Sequence, residues 1–485
     1  MTPSRRALLG AVPAAGLAAG LSATSLPAAA QTPALDPTRP VLIRGATIVT
    51  MDPSVPDLLV GDILVRDGAI AAVGRDLPQP DGAQVVDGTG RIAIPGLVNA
   101  HIHLGQALQR GMSGDQTLGQ YFGTVVARRS SRLTADDLRA ADYAGSLELI
   151  AAGVTTVVDW SRETTSSAHA DAALDAFDKS GIRAVFAYGL AGSGAGSTTA
   201  ANTPEAVSAD IRRLRAGRMA SPGRVRLALA MRGPDFSSLE ETESDLRLAR
   251  DLDLLVQFHA GAPVYAERKR RSIAALHEKG LLNPRISLAH ANDLDEDEYK
   301  MLADAGGSTV STPEVEMQMG HGFPSAPRMT RAGGTAGLGS DISAGVGGDV
   351  FTQARIALAA ARGLANAEAM RAGAPLRAVA FTTRQALGWA TLGGARAAGL
   401  GDVTGSLTPG KRADIVLLRA DTVGTSPVLD PISSALMQCG AAAVDFVMVD
   451  GRVLKRDGRL LAADAEAAAA DARRRAAGLE ARAAG

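Results

Sequence analysis

Residues 94–103 read Ile94-Pro95-Gly96-Leu97-Val98-Asn99-Ala100-His101-Ile102-His103, an apolar run that closes on two histidines. Side chains at i and i+2 of a β-strand leave on the same face. His101 and His103 therefore leave one side of one strand, near enough to share a metal ion. Imidazole is the usual nitrogen donor to zinc and other divalent first-row metals. A bare His-x-His is a weak signal, and it gains force where further donors close other strands.

Three later apolar runs end in such donors: Val256-Gln257-Phe258-His259, Ile286-Ser287-Leu288-Ala289-His290 and Gly337-Leu338-Gly339-Ser340-Asp341. The strand-like segments 154–158, 183–188, 225–231, 254–259, 286–290, 309–312 and 337–341, with the histidine strand, make eight. Helix-like segments separate them, among them 135–151, 206–215, 239–251 and 295–305. Apolar strands alternating with helices predict a parallel sheet covered by helices. Eight units over about 300 residues fit a (β/α)8 barrel, an α/β TIM barrel, over 96–399. The donors sit at the C-terminal ends of their strands, where such barrels place their chemistry. A doubly wound open sheet would carry a glycine fingerprint after its first strand, and none is present.

The stretch 40–95 is all β-like, with Asp67-Gly68 and Asp87-Gly88 as turn dipeptides. The same grammar returns over 400–460, with Asp450-Gly451 as a hairpin turn. The tail 461–485 is nearly all Ala, Arg, Glu and Asp, and helical by propensity.

The order His-x-His, His, His, Asp resembles the amidohydrolase superfamily. "PGLVNAHIHL", "SLAHAND", "STPEVEMQMGHGFP", "GLGSD" and "TGSLTPGKRADIVLL" are similar to the branch holding cytosine deaminase and the triazine hydrolases. The resemblance covers roughly residues 40 to 460, and its motifs are specific as a set. It implies that the two terminal β pieces join into one small β-sandwich beside the barrel. It also implies that His101, His103, His259 and Asp341 hold one divalent metal ion, zinc first, with iron, manganese or cobalt also suited. Two-metal members bridge their ions with a lysine on strand four. None stands at 225–231, and Arg232 cannot substitute because its guanidinium stays charged. His290 matches the strand-six histidine that contacts substrate or attacking water.

The departure is Ala262. Deaminase members usually read His-x-x-Glu there, and the glutamate carries protons to a ring nitrogen. Here the chain reads His259-Ala260-Gly261-Ala262. Glu314 and Glu316 follow strand seven as candidate substrate contacts, alongside a competing expectation that both face water. Glu316 stands where members commonly have asparagine. His321 is a further candidate contact. Glu267, in a basic run, and His169 and His277 read as surface residues.

The expected chemistry is hydrolysis of a non-peptide C–N bond in an amide, urea or carbamate-like small molecule, with Asp341 and His290 as the catalytic pair. Deamination or dechlorination of an N-heterocycle of the cytosine, guanine or triazine type is the alternative. A silent binding protein that kept the barrel is the third class. The formal net charge of −1 gives no attraction to nucleic acid, and 3% aromatic residues offers little for base stacking. A homo-oligomer stays open.

Ser4-Arg5-Arg6-Ala7-Leu8-Leu9 is a twin-arginine pattern, followed by an Ala/Gly-rich stretch and Ala28-Ala29-Ala30 before Gln31. Pro13, Pro27 and the many small residues argue against a membrane anchor. A signal peptide over 1–30, export to the periplasm or beyond, and no stable membrane insertion after cleavage are expected. Cys439 is the lone cysteine, so no disulfide forms within the chain.

Overall fold

Short β-branched runs build the first five strands: β1 (Val41–Ile48), β2 (Leu58–Arg66), β3 (Ala69–Gly74), β4 (Gln84–Asp87) and β5 (Arg91–Pro95). The structure, a computed structural model, describes residues 35–190, 202–221, 223–261 and 271–484. The leader read at 1–30, Ala262 and Glu267 lie outside the described residues. Strand eight of the barrel is interrupted, so its staves carry nine labels: β6 (Leu97–His103), β7 (Val154–Ser161), β8 (Arg183–Gly189), β9 (Val225–Ala230), β10 (Leu255–Ala260), β11 (Ile286–His290), β12 (Ser308–Ser311), β13 (Thr335–Leu338) and β14 (Asp341–Ile342). The chain then returns through β15 (Ile415–Arg419), β16 (Val444–Val449), β17 (Arg452–Arg456) and β18 (Arg459–Leu460).

The two terminal groups share one nine-stranded sheet in the order β18-β17-β16-β15-β5-β1-β2-β3, with β4 on β1. The join is antiparallel, β15 on β5, from Ile415 opposite Pro95 to Arg419 opposite Arg91. Asp67-Gly68 and Asp450-Gly451 both hold positive φ, as two-residue hairpin turns of type I′ require. Ile43, Ile48 and Ile63 from one end pack with Ile415, Leu417 and Phe446 from the other.

The barrel sheet runs β13-β12-β11-β10-β9-β8-β7-β6-β14, parallel where neighbours pair. Its outermost members, β13 and β14, are the two halves of strand eight, so the sheet closes on itself. The sequence reads 337–341 as one strand; the structure breaks it at Gly339-Ser340, because Asp341 has φ +61° and cannot continue an extended chain. Hydrogen bonds bridge the gap: Gly339 N–H donates to the Ser311 carbonyl, and Asn99 and Ser340 exchange two bonds. A Cβ on Gly339 would overlap the His101 carbonyl, so only glycine lets strand eight lie this close to strand one. A bulge in β6, where Asn99 pairs Val157 but Ile102 pairs Asp159, sets Ala100 and His101 opposite one residue of β7. Bulges re-aim side chains next to active sites.

Helices cover the barrel, several of them opened by a cap the sequence supplies. Thr134 and Asp137 form a capping box on Ala135–Ala151, and Ser238 and Glu241 do so on Leu239–Asp251. Among the described residues, no helix is long and apolar enough to cross a membrane. The C-terminal helix Ala465–Ala484 ties back to the barrel through Arg475 and Arg482, which both pair with the buried Asp137.

One buried ion cluster locks barrel to sheet. Arg183, at the start of β8, donates to both oxygens of Asp414, at 2.7 and 3.0 Å, and to Asp450 at 3.0 Å. Asp414 also accepts from the Asp450 backbone N–H, and its carbonyl accepts from Gly96, the single residue between β5 and β6. Removing one partner leaves a charge buried and unpaired. Arg183→Met is therefore expected to cost about 3–5 kcal/mol of stability, read as a lower midpoint in denaturant. A midpoint equal to wild type would show that the cluster does not couple the two sheets.

Candidate metal centre

Four donors converge where strand ends meet. Single donor atoms of His101, His259, His290 and Asp341 lie within 4.8 Å of one another, and all four residues are buried. His101 comes from β6, His259 from β10, His290 from β11 and Asp341 from β14. Asp341 Oδ1 is 3.4 Å from His101 Nε2 and 3.5 Å from His103 Nε2, and its Oδ2 is 4.0 Å from His290 Nε2.

Both β6 imidazoles are fixed from behind. His101 Nδ1 lies 2.7 Å from Gln257 Oε1, and His103 Nδ1 lies 2.7 Å from the Trp160 carbonyl oxygen. The Gln257 amide is oriented by its Nε2, which donates to the Ala100 carbonyl. Both partners are acceptors, so each Nδ1 carries the proton and each Nε2 turns a lone pair to the centre. His101 Nε2 is buried and has no hydrogen-bond partner. A lone pair removed from water with nothing to accept from belongs to a cation. Three imidazole nitrogens and a carboxylate oxygen suit one divalent ion of the zinc type. His103 is not among these four, but its Nε2 is as near Asp341 as that of His101 and accepts from Arg162 Nη2 at 2.6 Å.

Electrostatics set the same protonation pattern. Burial pushes the His259 and His103 imidazoles well below their usual range, reinforced by neighbouring imidazoles and, at His103, by Arg162. Burial brings His290 and His321 down to about 4. Burial alone would raise the Asp341 carboxyl, but His290, His101 and His103 outweigh it and hold it well below the carboxylate range. At neutral pH the centre thus holds an ionised Asp341 carboxylate beside the neutral imidazoles of His103, His259 and His290, the form that ligates metal. His290 and Asp341 both sit at positive φ, +68° and +61°. Such residues cost roughly 1–3 kcal/mol each and cluster at functional sites.

The remaining sequence candidates divide. Glu316 is fully buried on the helix Pro313–Met319, against the expectation that it faces water. Its Oε1 accepts from the Thr312 N–H at 2.7 Å and lies 3.4 Å from His290 Nδ1, while Oε2 has no partner. Burial raises this carboxyl to about 7. His321 is buried with its ring 4.7 Å from that of His290. Glu314 turns away from the centre: its carboxylate accepts from Gln353 Nε2, and its N–H donates to Gln353 Oε1. Its place on the first turn of the helix, two residues before Glu316, points it to the outer helix Val350–Arg371. His277 is exposed, and His169 is half-buried and bonds the Leu133 carbonyl. Arg232 pairs with Asp245 and Glu241.

Two residues that sequence reasoning missed belong to the site. Gln257 lies two before His259 on β10, so the i, i+2 rule that joins the β6 histidines places it on the same face. Arg162 directly follows β7, and a charged residue just past the C-terminal end of an apolar barrel strand is the signal that would have found it.

Residues 92–454 match the Amidohydrolase family. The 5-methylthioadenosine/S-adenosylhomocysteine deaminase of Halobacterium salinarum is 31% identical over 424 residues, covering 85% of this chain and 92% of that one. The 5'-deoxyadenosine deaminase of Methanothermobacter thermautotrophicus is 29% identical over 407 residues, covering 82% and 89%. Among solved structures, an adenosine deaminase from Xanthomonas campestris with bound zinc superposes with TM-score 0.80 at 25% identity, covering 91% of this chain and 98% of that one. The atrazine chlorohydrolase of Arthrobacter aurescens complexed with zinc gives 0.79 at 27%, covering 90% and 100%.

Elemental analysis of purified variants checks the centre. Asp341→Ala and His101→Ala should each lose most bound metal. Gln257→Leu keeps every donor but frees the His101 ring, and should weaken metal binding by roughly 10–100-fold. Full metal content in Asp341→Ala would remove Asp341 from the centre.

Proposed function

The chain belongs to the amidohydrolase family, a metal-dependent hydrolase acting on C–N bonds, and we propose that it deaminates a small N-heterocyclic molecule. The observation that carries this reading is the His290–Glu316 pair. It brings a buried carboxyl to the site in a chain whose sequence has Ala262 in place of the usual deaminase glutamate. The relatives named as adenosine-type deaminases support the substrate class.

His101, His103, His259 and Asp341 would hold one divalent ion, zinc, with His290 beside it. A bound divalent cation lowers the pKa of water towards neutrality and polarises the carbon under attack. Asp341 takes the proton released as water adds. His290 Nε2 faces Asp341, and its Nδ1 lies 3.1 Å from Thr312 Oγ1 and 3.4 Å from Glu316 Oε1. Glu316 thus acts through His290, steadying the imidazolium that forms when the ring relays a proton to the substrate nitrogen. Glu316 is a positioning residue in this scheme. Cleavage of an amide, urea or carbamate is the second reading, and Ala262 favours it. That reaction needs mainly its leaving nitrogen protonated, which Asp341 alone can do.

Zinc-loaded protein should therefore turn over an aminated heterocycle. Glu316→Gln should lower kcat by roughly 10²-fold or more, alter the acid limb of the pH profile and leave bound zinc unchanged. Turnover confined to amides, ureas or carbamates and indifferent to Glu316→Gln would establish the second reading instead.

Export is part of the proposal. Arg5→Lys with Arg6→Lys should leave unprocessed protein in the cytoplasm, whereas the wild type should appear in the periplasm beginning near Gln31. Fractionation and N-terminal sequencing read both, and unchanged export in the double variant would point to another route.

A further inference from the structure

Among the described residues, Arg162 is the one guanidinium at the centre, and it has no ion-pair partner. The residue is 9% exposed. Its Nη2 donates to His103 Nε2 at 2.6 Å, and its guanidinium carbon lies 5.6 Å from the centroid of the Trp160 ring. Its Nε and Nη1 are buried with no hydrogen-bond partner. Among the described residues it makes no ion pair, whereas the other buried arginine described here, Arg183, is answered by Asp414. The acids near it make no hydrogen bond to it: both Glu163 oxygens lack partners, and the bonded nitrogen of Arg162 goes to His103.

Leaving a buried charge unpaired is among the costliest arrangements in a protein interior. Guanidinium is always ionised and is shaped to grip a carboxylate. We propose that Arg162 anchors a carboxylate carried by the substrate, so that the molecule hydrolysed here is a small organic anion. A monoanion fits better than a phosphate dianion, because one guanidinium must balance it close to the Asp341 carboxylate. Where His103 Nε2 serves as a metal ligand, Nη2 is also released from its bond and joins the other two nitrogens as a free donor.

This assignment rests on reading the site as a hydrolytic centre and narrows its substrate. The test needs no turnover, so a protein that fails to deaminate would sink the functional reading alone. Benzoate and benzamide have nearly the same shape and differ by one charge. Calorimetry on the zinc-loaded full chain should give benzoate a Kd roughly 10- to 100-fold below that of benzamide. Arg162→Gln should abolish that preference with zinc content unchanged, and Arg162→Lys, which keeps the charge, should restore part of it. If Arg162→Gln does not fold, the wild-type comparison and the lysine variant still decide. Equal affinities, no binding of benzoate, or a preference that survives Arg162→Gln would each overturn the assignment; the last would place the anion on the metal, and the second would mean that Glu163 neutralises Arg162 internally.

Discussion

The structure turns on one buried carboxylate. Asp341 lies in the interior with imidazoles around it, and burial makes protonation of His103, His259 and His290 costly. An ionised acid facing uncharged imidazole nitrogens offers lone pairs from several sides, which is what a bound cation requires. Everything near it serves to hold that arrangement. Gln257 and the Trp160 carbonyl fix the tautomers, the Glu316 carboxyl sits behind His290, and a left-handed backbone turns Asp341 inward.

The rest of the fold supplies stiffness. The sheet made from both chain ends abuts the barrel through Gly96, where a Cβ would overlap the Thr155 side chain, so β5 passes into β6 without a loop. The first metal strand is therefore a direct continuation of a strand in the second sheet. Arg183 clamps the same junction from the far side through Asp414, whose carbonyl holds Gly96. Rigid elements position reacting groups more accurately than loops do, and here both β6 histidines are carried by strand.

Much of this was legible before any coordinates, for a definite reason. His101, His259, His290 and Asp341 each close an apolar run, and parallel barrel strands, buried on both faces, are continuous apolar runs that end abruptly. The strand count and the two terminal β regions follow from the same alternation. What stayed hidden depends on direction within short turns. Glu314 and Glu316 look alike in sequence, yet one bonds Gln353 on an outer helix and the other lies behind His290, because two residues of helix rotate a side chain by about 200°. Arg162 was hidden for another reason. A charge after a strand normally goes to solvent, and only burial together with missing partners makes it informative.

The closure of strand eight onto strand one has a consequence for how the protein comes to exist. Asn99 and Ser340 are 241 positions apart, and β5 waits still longer for β15. A chain emerging from the ribosome displays both β6 histidines long before Asp341 is made, and neither sheet can be completed from the first half alone. Contacts this distant in sequence are slow to form. For most of its synthesis the nascent polypeptide carries its histidines without their carboxylate, and selective capture of metal must wait until strand eight, which brings Asp341, has been translated.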